Sequence, residues 1–254
     1  MSLFNFRKNQ ILHSVWESLR RNHFVHKIRN RVVPDPHKKS YSQHGEDIIM
    51  LHILNELKID KWAWLDIGAH HPKRSSNSAL FYDMGMRGVN VEANPMLIGE
   101  FYRQRKGDVN LNIAVGDTSG SMDFYIMDHP ALSTLSKEEA QRYETLGFKI
   151  KEVIPVKVMS VADVIHEYLN GKFPEVLSID AEGYDLNILK SIKWEDVSIG
   201  CPVLICVECV PYNNDMVGLD SVYKSEIVAY LTSAACGYTL MAYTTVNAIF
   251  IRNK

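Results

Sequence analysis

The chain has 254 residues, of which 46% are hydrophobic and 23% are charged, and its formal net charge at pH 7 is −2. This length suits one large domain with a short appendage, and the apolar fraction is sufficient for a full core, which excludes a largely disordered chain. A net charge near zero argues against a nucleic-acid partner. No apolar run reaches the length of a membrane span, and the N-terminus lacks the apolar core of a signal peptide.

Residues 1–38 are predicted to form a basic amphipathic N-terminal arm, and residues 39–254 the main domain. Basic side chains outnumber acids in the arm, and apolar side chains recur there at helical spacing, namely Ile11, Leu12, Val15, Trp16 and Leu19. One interpretation is a helix that docks on a membrane surface or on a partner. The other, which is favoured, is a helix that packs on its own domain or on a sister subunit.

The four cysteines lie late in the chain, and Cys206 and Cys209 form a C-x-x-C without a second pair. Both fall in a predicted buried strand. We therefore expect free thiols in a reducing cytoplasm rather than a zinc or redox site. The predicted location is the cytoplasm, with the inner face of the membrane as the alternative if the arm binds lipid.

A polar segment at residues 41–47 precedes a predicted helix over residues 48–57. Its side chains Gln43, Glu46 and Asp47 exceed what one helix cap requires, so a ligand contact is predicted. Residues 62–72 then predict a short apolar strand ending near Asp66 and a glycine turn at Gly68, and residues 75–78 supply candidates for the N-cap of a helix. Open α/β sheets place nucleotide-like ligands at such strand, turn and helix units.

Strands and helices alternate through the remaining chain. Further strands are predicted over residues 88–92, 109–115, 122–127 (at an edge), 153–159, 176–180 and 202–208, and helices over residues 160–169, 186–192 and 221–234. Residues 237–243 and 246–251 lie too close in sequence for a parallel crossover and are predicted to be antiparallel. The pattern indicates a mostly parallel sheet covered on both faces. Residues 128–148 are irregular, and either a flap over a site or a plain surface excursion fits them.

Acids follow four successive predicted core strands: Asp66, Glu92, Asp180 and Glu208. Because the carboxyl ends of parallel strands meet at one edge of a sheet, we expect these carboxylates to converge. Glu92 follows Asp66 by about two dozen residues, which is the spacing expected for a carboxylate that binds the two hydroxyls of a ribose.

Six segments, in order and at compatible spacing, resemble the FkbM-type S-adenosylmethionine-dependent methyltransferases: residues 41–47, 66–72, 88–92, 130–136, 177–183 and 203–208. The resemblance does not extend to the basic arm. It implies a class I (Rossmann-like) methyltransferase fold, an α/β structure whose mostly parallel seven-stranded sheet ends in a C-terminal antiparallel hairpin, with helices on both faces.

The resemblance also implies S-adenosylmethionine as the cofactor. It places Gly68 near the methionine part, Glu92 on the ribose and residues 114–117 near the adenine. Gln43 and Glu46 are expected either to hold the amino-acid end or to close the site. The full set of cofactor-binding residues that it implies is Gln43, Glu46, Asp66, Gly68, Ala69, Ser76, Asn77, Glu92, Ala93, Ala114 and Asp117. The loop departs from the general pattern, because His70 and Pro72 stand where further glycines usually follow.

The activity common in this family implies O-methyl transfer to a hydroxyl of a glycan or small-molecule acceptor. Such an acceptor would be a sugar in a bacterial polysaccharide, glycolipid or glycosylated natural product. Such a transfer needs in-line positioning of the oxygen and removal of its proton. Either His71 or Asp180 accepts the proton, or Asp180 and Glu208, with Glu182 or one of the histidines His70 and His71, hold Mg²⁺ or Mn²⁺. The alternative for His70 and His71 is a role in loop packing and cofactor contact. The alternatives outside this class are a nucleotide-dependent oxidoreductase and an inactive binding module.

Overall fold

The computed structural model describes residues 39–196, 198–209, 222–223 and 225–253. The predicted arm of residues 1–38 lies outside the described residues, so its helix and its partners stay predictions. Among the described helices, none combines the length and the apolar character needed to cross a membrane.

The described elements follow the predicted alternation of strands and helices. The helices are α1 (Glu46–Glu56), α2 (Ala79–Asp83), α3 (Ile98–Gln104), α4 (Lys137–Thr145), α5 (Val161–Tyr168), α6 (Asp185–Ser191) and α7 (Glu226–Leu231), with a 3-10 turn at Pro130–Leu132. The strands are β1 (Trp64–Ile67), β2 (Val89–Val91), β3 (Val109–Leu111), β4 (Ala114–Gly116), β5 (Gly120–Met127), β6 (Ile150–Ser160), β7 (Val176–Ile179), β8 (Leu204–Glu208), β9 (Tyr238–Tyr243) and β10 (Asn247–Arg252).

The main sheet has seven strands in the order β3-β2-β1-β7-β8-β10-β9. Its first five strands are parallel, whereas β10 runs antiparallel to both β8 and β9. The connection from β9 to β10 is too short for a parallel crossover, which explains the reversal. This is a class I methyltransferase fold, and it confirms the predicted sheet and its antiparallel C-terminal hairpin.

Successive side chains of a strand point to opposite faces of the sheet, so the apolar strands of this sheet present apolar side chains on both faces, and both faces are covered. On β1, Leu65 and Ile67 pack into one hydrophobic cluster, with Ile165 of α5, whereas Trp64 packs into the opposite cluster, with Leu51 of α1. Every residue of β1 and of β7 is buried. The near-continuous apolar runs that predicted these strands are therefore a consequence of burial on both faces.

The prediction of a single strand over residues 109–115 is wrong, because the structure contains two strands there. Strand β3 closes the edge of the main sheet, and β4 belongs to a second sheet of order β4-β6-β5. Between them, the Asn112 side chain donates hydrogen bonds to the carbonyl oxygens of Glu92 (2.8 Å) and Ala93 (3.1 Å), which turns the chain from one sheet to the other. The predicted edge position of β5 is confirmed.

Candidate functional site

A cavity of about 600 Å³ lies at the carboxyl edge of the main sheet, and this volume accommodates a nucleotide-sized ligand. Asp66 is in β1, Glu92 follows β2, Asp180 follows β7 and Glu208 ends β8. All four carboxylates line the cavity, so their predicted convergence is confirmed.

The turn after β1 is built on Gly68, whose φ of 77° lies in the left-handed region that glycine adopts without strain. A Cβ at this position would lie 1.7 Å from the carbonyl oxygen of Asp180. The amides of Gly68 and Ala69 both donate to the carbonyl oxygen of Val91 at 3.0 Å. A glycine is therefore required where the loops after β1 and β7 approach each other.

Glu92 is buried, with 6% of its surface exposed, and its carboxylate organises the neighbouring loop. It accepts hydrogen bonds from the amides of His70 (2.8 Å) and Asn94 (2.7 Å). Burial raises the pKa of Glu92 to about 7. Each carboxylate oxygen has two lone pairs, so Glu92 retains acceptor capacity for the two hydroxyls of a ribose.

The cavity wall beside Glu92 is apolar. It is formed by Val91, Ala93, Ile113, Ala114 and Phe124. Flat apolar walls with a few polar groups at one end are typical of sites that hold a nucleoside. The arrangement suits an adenine ring next to a ribose.

Asp66 is held by a buried network that the sequence did not reveal. The Ser78 hydroxyl donates to Asp66 Oδ2 (2.7 Å), and the fully buried Arg105 donates to the Ser78 hydroxyl (3.1 Å). Arg105 also forms a salt bridge with Asp108 (2.8 Å) and donates to the carbonyl oxygen of Pro72 (3.0 Å). Burial raises the pKa of Asp66, although the Ser78 bond and the Arg105 charge oppose that rise.

Three carboxylates form a cluster at one side of the cavity: Asp180, Glu182 and Glu208. Their ligand oxygens all lie within 4.8 Å of one another, and each residue is partly exposed to the cavity that it lines. Among the described residues, no lysine or arginine forms a salt bridge with any of the three. Burial and the neighbouring carboxylates raise the pKa of Asp180 and of Glu208 well above their ordinary values, and burial raises the pKa of Glu182 to about 7.

Residues 128–148, the flap, form the wall of the cavity next to this cluster. The lining residues from the flap are His129, Pro130, Ala131, Leu132, Ser133, Leu135, Arg142 and Tyr143. The segment is therefore more than a plain surface excursion. Sequence reasoning did not identify Arg142 or Tyr143 as site residues, because they lie on a charged helix whose pattern is that of any solvated surface helix.

Most of the predicted site residues line the cavity: Gln43, Asp66, Gly68, Ala69, Asn77, Glu92, Ala93, Ala114, Asp180, Glu182 and Glu208. Glu46 is not among the lining residues. Its carboxylate accepts hydrogen bonds from Thr244 Oγ1 (2.6 Å) and Asn247 Nδ2 (3.1 Å), which ties the start of α1 to the C-terminal hairpin. The contacts described for Glu46 are thus within the protein, and its place at the cofactor stays a prediction.

His71, Ser76 and Asp117 also lie outside the cavity lining. The His71 Nδ1 atom accepts from the amides of Lys73 and Arg74, both at 3.0 Å. The Ser76 hydroxyl accepts a hydrogen bond from the amide of Ala79, the first residue of α2. Asp117 is exposed near the Tyr184 hydroxyl. Of the two adjacent histidines, His70 lines the cavity, and burial lowers its pKa.

One comparison with known proteins identifies a family. The family model described as "Methyltransferase FkbM domain" matches residues 66–240. No curated protein matches the chain significantly.

Two solved structures match the chain at low similarity. One is a candidate caffeoyl-CoA O-methyltransferase from Staphylococcus aureus, with a TM-score of 0.45 and 13% identity over 98% of this chain and 100% of that chain. The other is a precorrin-6y C5,15-methyltransferase from Geobacter metallireducens, with a TM-score of 0.41 and 14% identity over 81% of this chain and 88% of that chain.

The family match covers more than half of the chain and includes the loops that carry Asp66, Glu92 and the acid cluster. It decides against the oxidoreductase alternative and implies S-adenosylmethionine as the cofactor. The chain is a methyltransferase and belongs to the FkbM methyltransferase domain family.

Proposed function

We propose that the chain is an S-adenosylmethionine-dependent O-methyltransferase that acts on a hydroxyl group with the help of a divalent cation. The observation that carries this proposal is the cluster of Asp180, Glu182 and Glu208 in the wall of the cavity. The proposed acceptor is a sugar of a polysaccharide, glycolipid or glycosylated natural product, and the resemblance to the FkbM family supports that choice.

The residues around Glu92 fit S-adenosylmethionine. Glu92 would hold the ribose hydroxyls, and the apolar wall with Ala114 and Phe124 would contact the adenine. The bound cofactor supplies a methyl group on a sulfonium, which is already activated for transfer. The chain's own task is then to orient the acceptor and to exclude water from the cavity.

The acid cluster fits a divalent cation. Its three hard oxygen ligands suit Mg²⁺ or Mn²⁺, and the charge of Arg142 opposes their mutual repulsion at Glu182 without forming a salt bridge to it. A bound cation supplies Lewis acidity, which lowers the pKa of a hydroxyl that it contacts. Because burial and the neighbouring carboxylates raise the pKa of Asp180 and of Glu208, binding of an ion by these residues would be coupled to proton release.

A mechanism without a cation is the alternative for the same reaction. Asp180 lines the cavity and could accept the hydroxyl proton directly, because its raised pKa makes it a stronger base than an exposed aspartate. His71 was predicted for this role, but its Nδ1 atom accepts two backbone hydrogen bonds. Of the two adjacent histidines, His70 is the one that lines the cavity, and its position favours such a role.

The proposal is tested by measuring S-adenosylhomocysteine release from S-adenosylmethionine with a panel of free and nucleotide-linked sugars. We expect activity to fall with EDTA and to return with Mn²⁺ or Mg²⁺. Glu208→Gln should lose that response, whereas Glu195→Gln, at an exposed acid away from the cavity, should retain it. Mass spectrometry of the product locates the methyl group on oxygen or nitrogen.

Three outcomes would contradict parts of the proposal. Methylation of an amino sugar on nitrogen would exclude O-transfer as the reaction. Activity that chelation and Glu208→Gln both leave unchanged would remove the cation. Calorimetric binding of S-adenosylhomocysteine without turnover on any acceptor would favour the inactive module.

A further inference from the structure

The flap makes two hydrogen bonds to one residue of the acid cluster, Glu182. The Tyr143 hydroxyl donates a hydrogen bond of 2.5 Å to Glu182 Oε2. The Thr134 hydroxyl donates a hydrogen bond of 2.8 Å to the backbone carbonyl oxygen of the same residue. The side chain and the main chain of Glu182 are thus both held by the flap.

The backbone at Glu182 explains why such support is needed. Glu182 has a φ of 49°, which lies in the left-handed region that residues with a Cβ seldom adopt, and Gly183 follows with a φ of 88°. Glu139 of the flap packs so closely here that a Cβ on Gly183 would lie 2.4 Å from its Cγ. The conformation that aims Glu182 at the cavity is therefore kept by contacts that the flap provides.

Glu182 can serve the flap and an ion together. A carboxylate has two oxygens with two lone pairs each, so one hydrogen bond from Tyr143 leaves acceptor sites for a cation. Tyr143 is almost fully buried, with 8% of its surface exposed, and it also lines the cavity. Residues that hydrogen-bond a ligand's carboxylate commonly fix its orientation, and their loss weakens metal binding.

We propose that Tyr143 is a positioning residue for the divalent cation: its hydroxyl holds the Glu182 carboxylate toward Asp180 and Glu208 and so ties ion binding to the position of the flap. This inference rests on the cation of the proposed function. It assigns the flap a role in assembling the site in addition to forming part of its wall.

The test compares Mn²⁺ and S-adenosylhomocysteine affinities, measured by calorimetry, in the wild type, Tyr143→Phe and Tyr125→Phe. Tyr125 packs in the same hydrophobic cluster as Tyr143, and its hydroxyl forms no hydrogen bond with a described residue, so Tyr125→Phe is the matched control. We expect Tyr143→Phe to weaken Mn²⁺ binding by about 10- to 100-fold. We expect the S-adenosylhomocysteine affinity, and both affinities of Tyr125→Phe, to stay close to those of the wild type.

A double-mutant cycle shows whether Tyr143 acts through Glu182. If it does, Tyr143→Phe should have little further effect on Mn²⁺ affinity in a Glu182→Gln background, because the two changes remove one interaction. Additive effects would overturn the inference. The hydrogen bond from Thr134 to the Glu182 carbonyl oxygen is tested separately. Thr134→Val should weaken Mn²⁺ binding, whereas Thr134→Ser, which retains the hydroxyl, should bind Mn²⁺ nearly as the wild type does.

The remaining outcomes separate this inference from the proposed function. Unchanged Mn²⁺ affinity in Tyr143→Phe, with a wild type that binds Mn²⁺, would overturn the role of Tyr143 alone. An equal loss of Mn²⁺ and S-adenosylhomocysteine affinity would overturn it also, because general damage to the fold would explain both. A wild type that binds S-adenosylhomocysteine but no Mn²⁺ would refute the cation and the inference with it.

Discussion

Gly68 lies against Asp180 so closely that a Cβ on the glycine would be 1.7 Å from the carbonyl oxygen of the aspartate. The contact joins the turn after β1, which faces the cofactor end of the cavity, to the loop after β7, which carries the acid cluster. The geometry of one loop therefore depends on that of the other.

We expect Gly68→Ala to displace both loops. The left-handed φ costs about 1–2 kcal/mol for a residue with a Cβ, and the clash with Asp180 adds about 1–3 kcal/mol. Gly85→Ala is the matched control, because Gly85 also has a positive φ, of 91°, and a Cβ there would have no described atom within 4 Å. Denaturant unfolding and S-adenosylhomocysteine calorimetry should show a larger loss for Gly68→Ala; equal losses would mean that the contact is unimportant.

The pH dependence of stability should report on Glu92. Its folded pKa of about 7 lies above its ordinary value of 4.5, so its contribution to folding is fully present below pH 4.5 and is lost as the pH rises through 7. Between pH 5 and 8 the free energy of unfolding of the wild type should fall relative to Glu92→Gln by about 2–3 kcal/mol. A difference between the two proteins that is constant with pH would contradict the raised pKa.

Glu92→Gln should also weaken S-adenosylhomocysteine binding at pH 8. The amide cannot accept charge-assisted hydrogen bonds at both ends, and the expected loss is about 10- to 100-fold. Glu100→Gln, on α3 and outside the cavity lining, is the control and should bind as the wild type does.

Asp180→Asn should separate stability from function. Burial and neighbouring charges raise the pKa of Asp180, so its ionised form is destabilising in the folded protein. Because the substitution removes this carboxylate, the metal-free protein should melt at a higher temperature at pH 8. The same change removes a proposed ligand, so the stabilisation of the wild type by Mn²⁺ should disappear. In the wild type, that stabilisation should grow from pH 6 to pH 8 because protons leave the ligands. Stabilisation by Mn²⁺ that persists in Asp180→Asn would exclude Asp180 as a ligand.

The two adjacent histidines should differ in their effect on catalysis. His70 lines the cavity, whereas His71 accepts hydrogen bonds within its own turn. Asparagine suits both sites, because it tolerates the positive φ of 51° at His70 and can replace the acceptor of His71. We expect His70→Asn to lower kcat by about tenfold or more and His71→Asn to leave it nearly unchanged. The reverse result would restore His71 as the base.

The basic arm of residues 1–38 lies outside the described residues, and its role is a proposal from the sequence. We expect its deletion to change either vesicle association or oligomeric state while cofactor affinity is retained. Vesicle flotation and light scattering measure the first two, and calorimetry the third. If neither property changes, the arm is a passive extension.

The convergence of Asp66, Glu92, Asp180 and Glu208 could be predicted because it depends only on local patterns. Each acid follows an apolar run, and parallel strands place their carboxyl ends at one edge. The roles of His71 and Glu46 could not be judged in this way, since polar side chains next to a site either face it or stabilise its loops. The choice depends on hydrogen bonds such as that from Thr244 to Glu46, across 198 residues of chain.

The sequence by itself determined the class of fold, the family and the four acids at the strand ends, because these follow from hydrophobic periodicity and short motifs. Only the tertiary structure decided that Arg105 is linked to Asp66 through hydrogen bonds of the Ser78 hydroxyl and that residues 109–115 divide between two sheets. It also decided that the Tyr143 hydroxyl donates a hydrogen bond to Glu182. The physical reason is that these contacts join segments far apart in sequence, and each depends on a side-chain direction that no local pattern specifies.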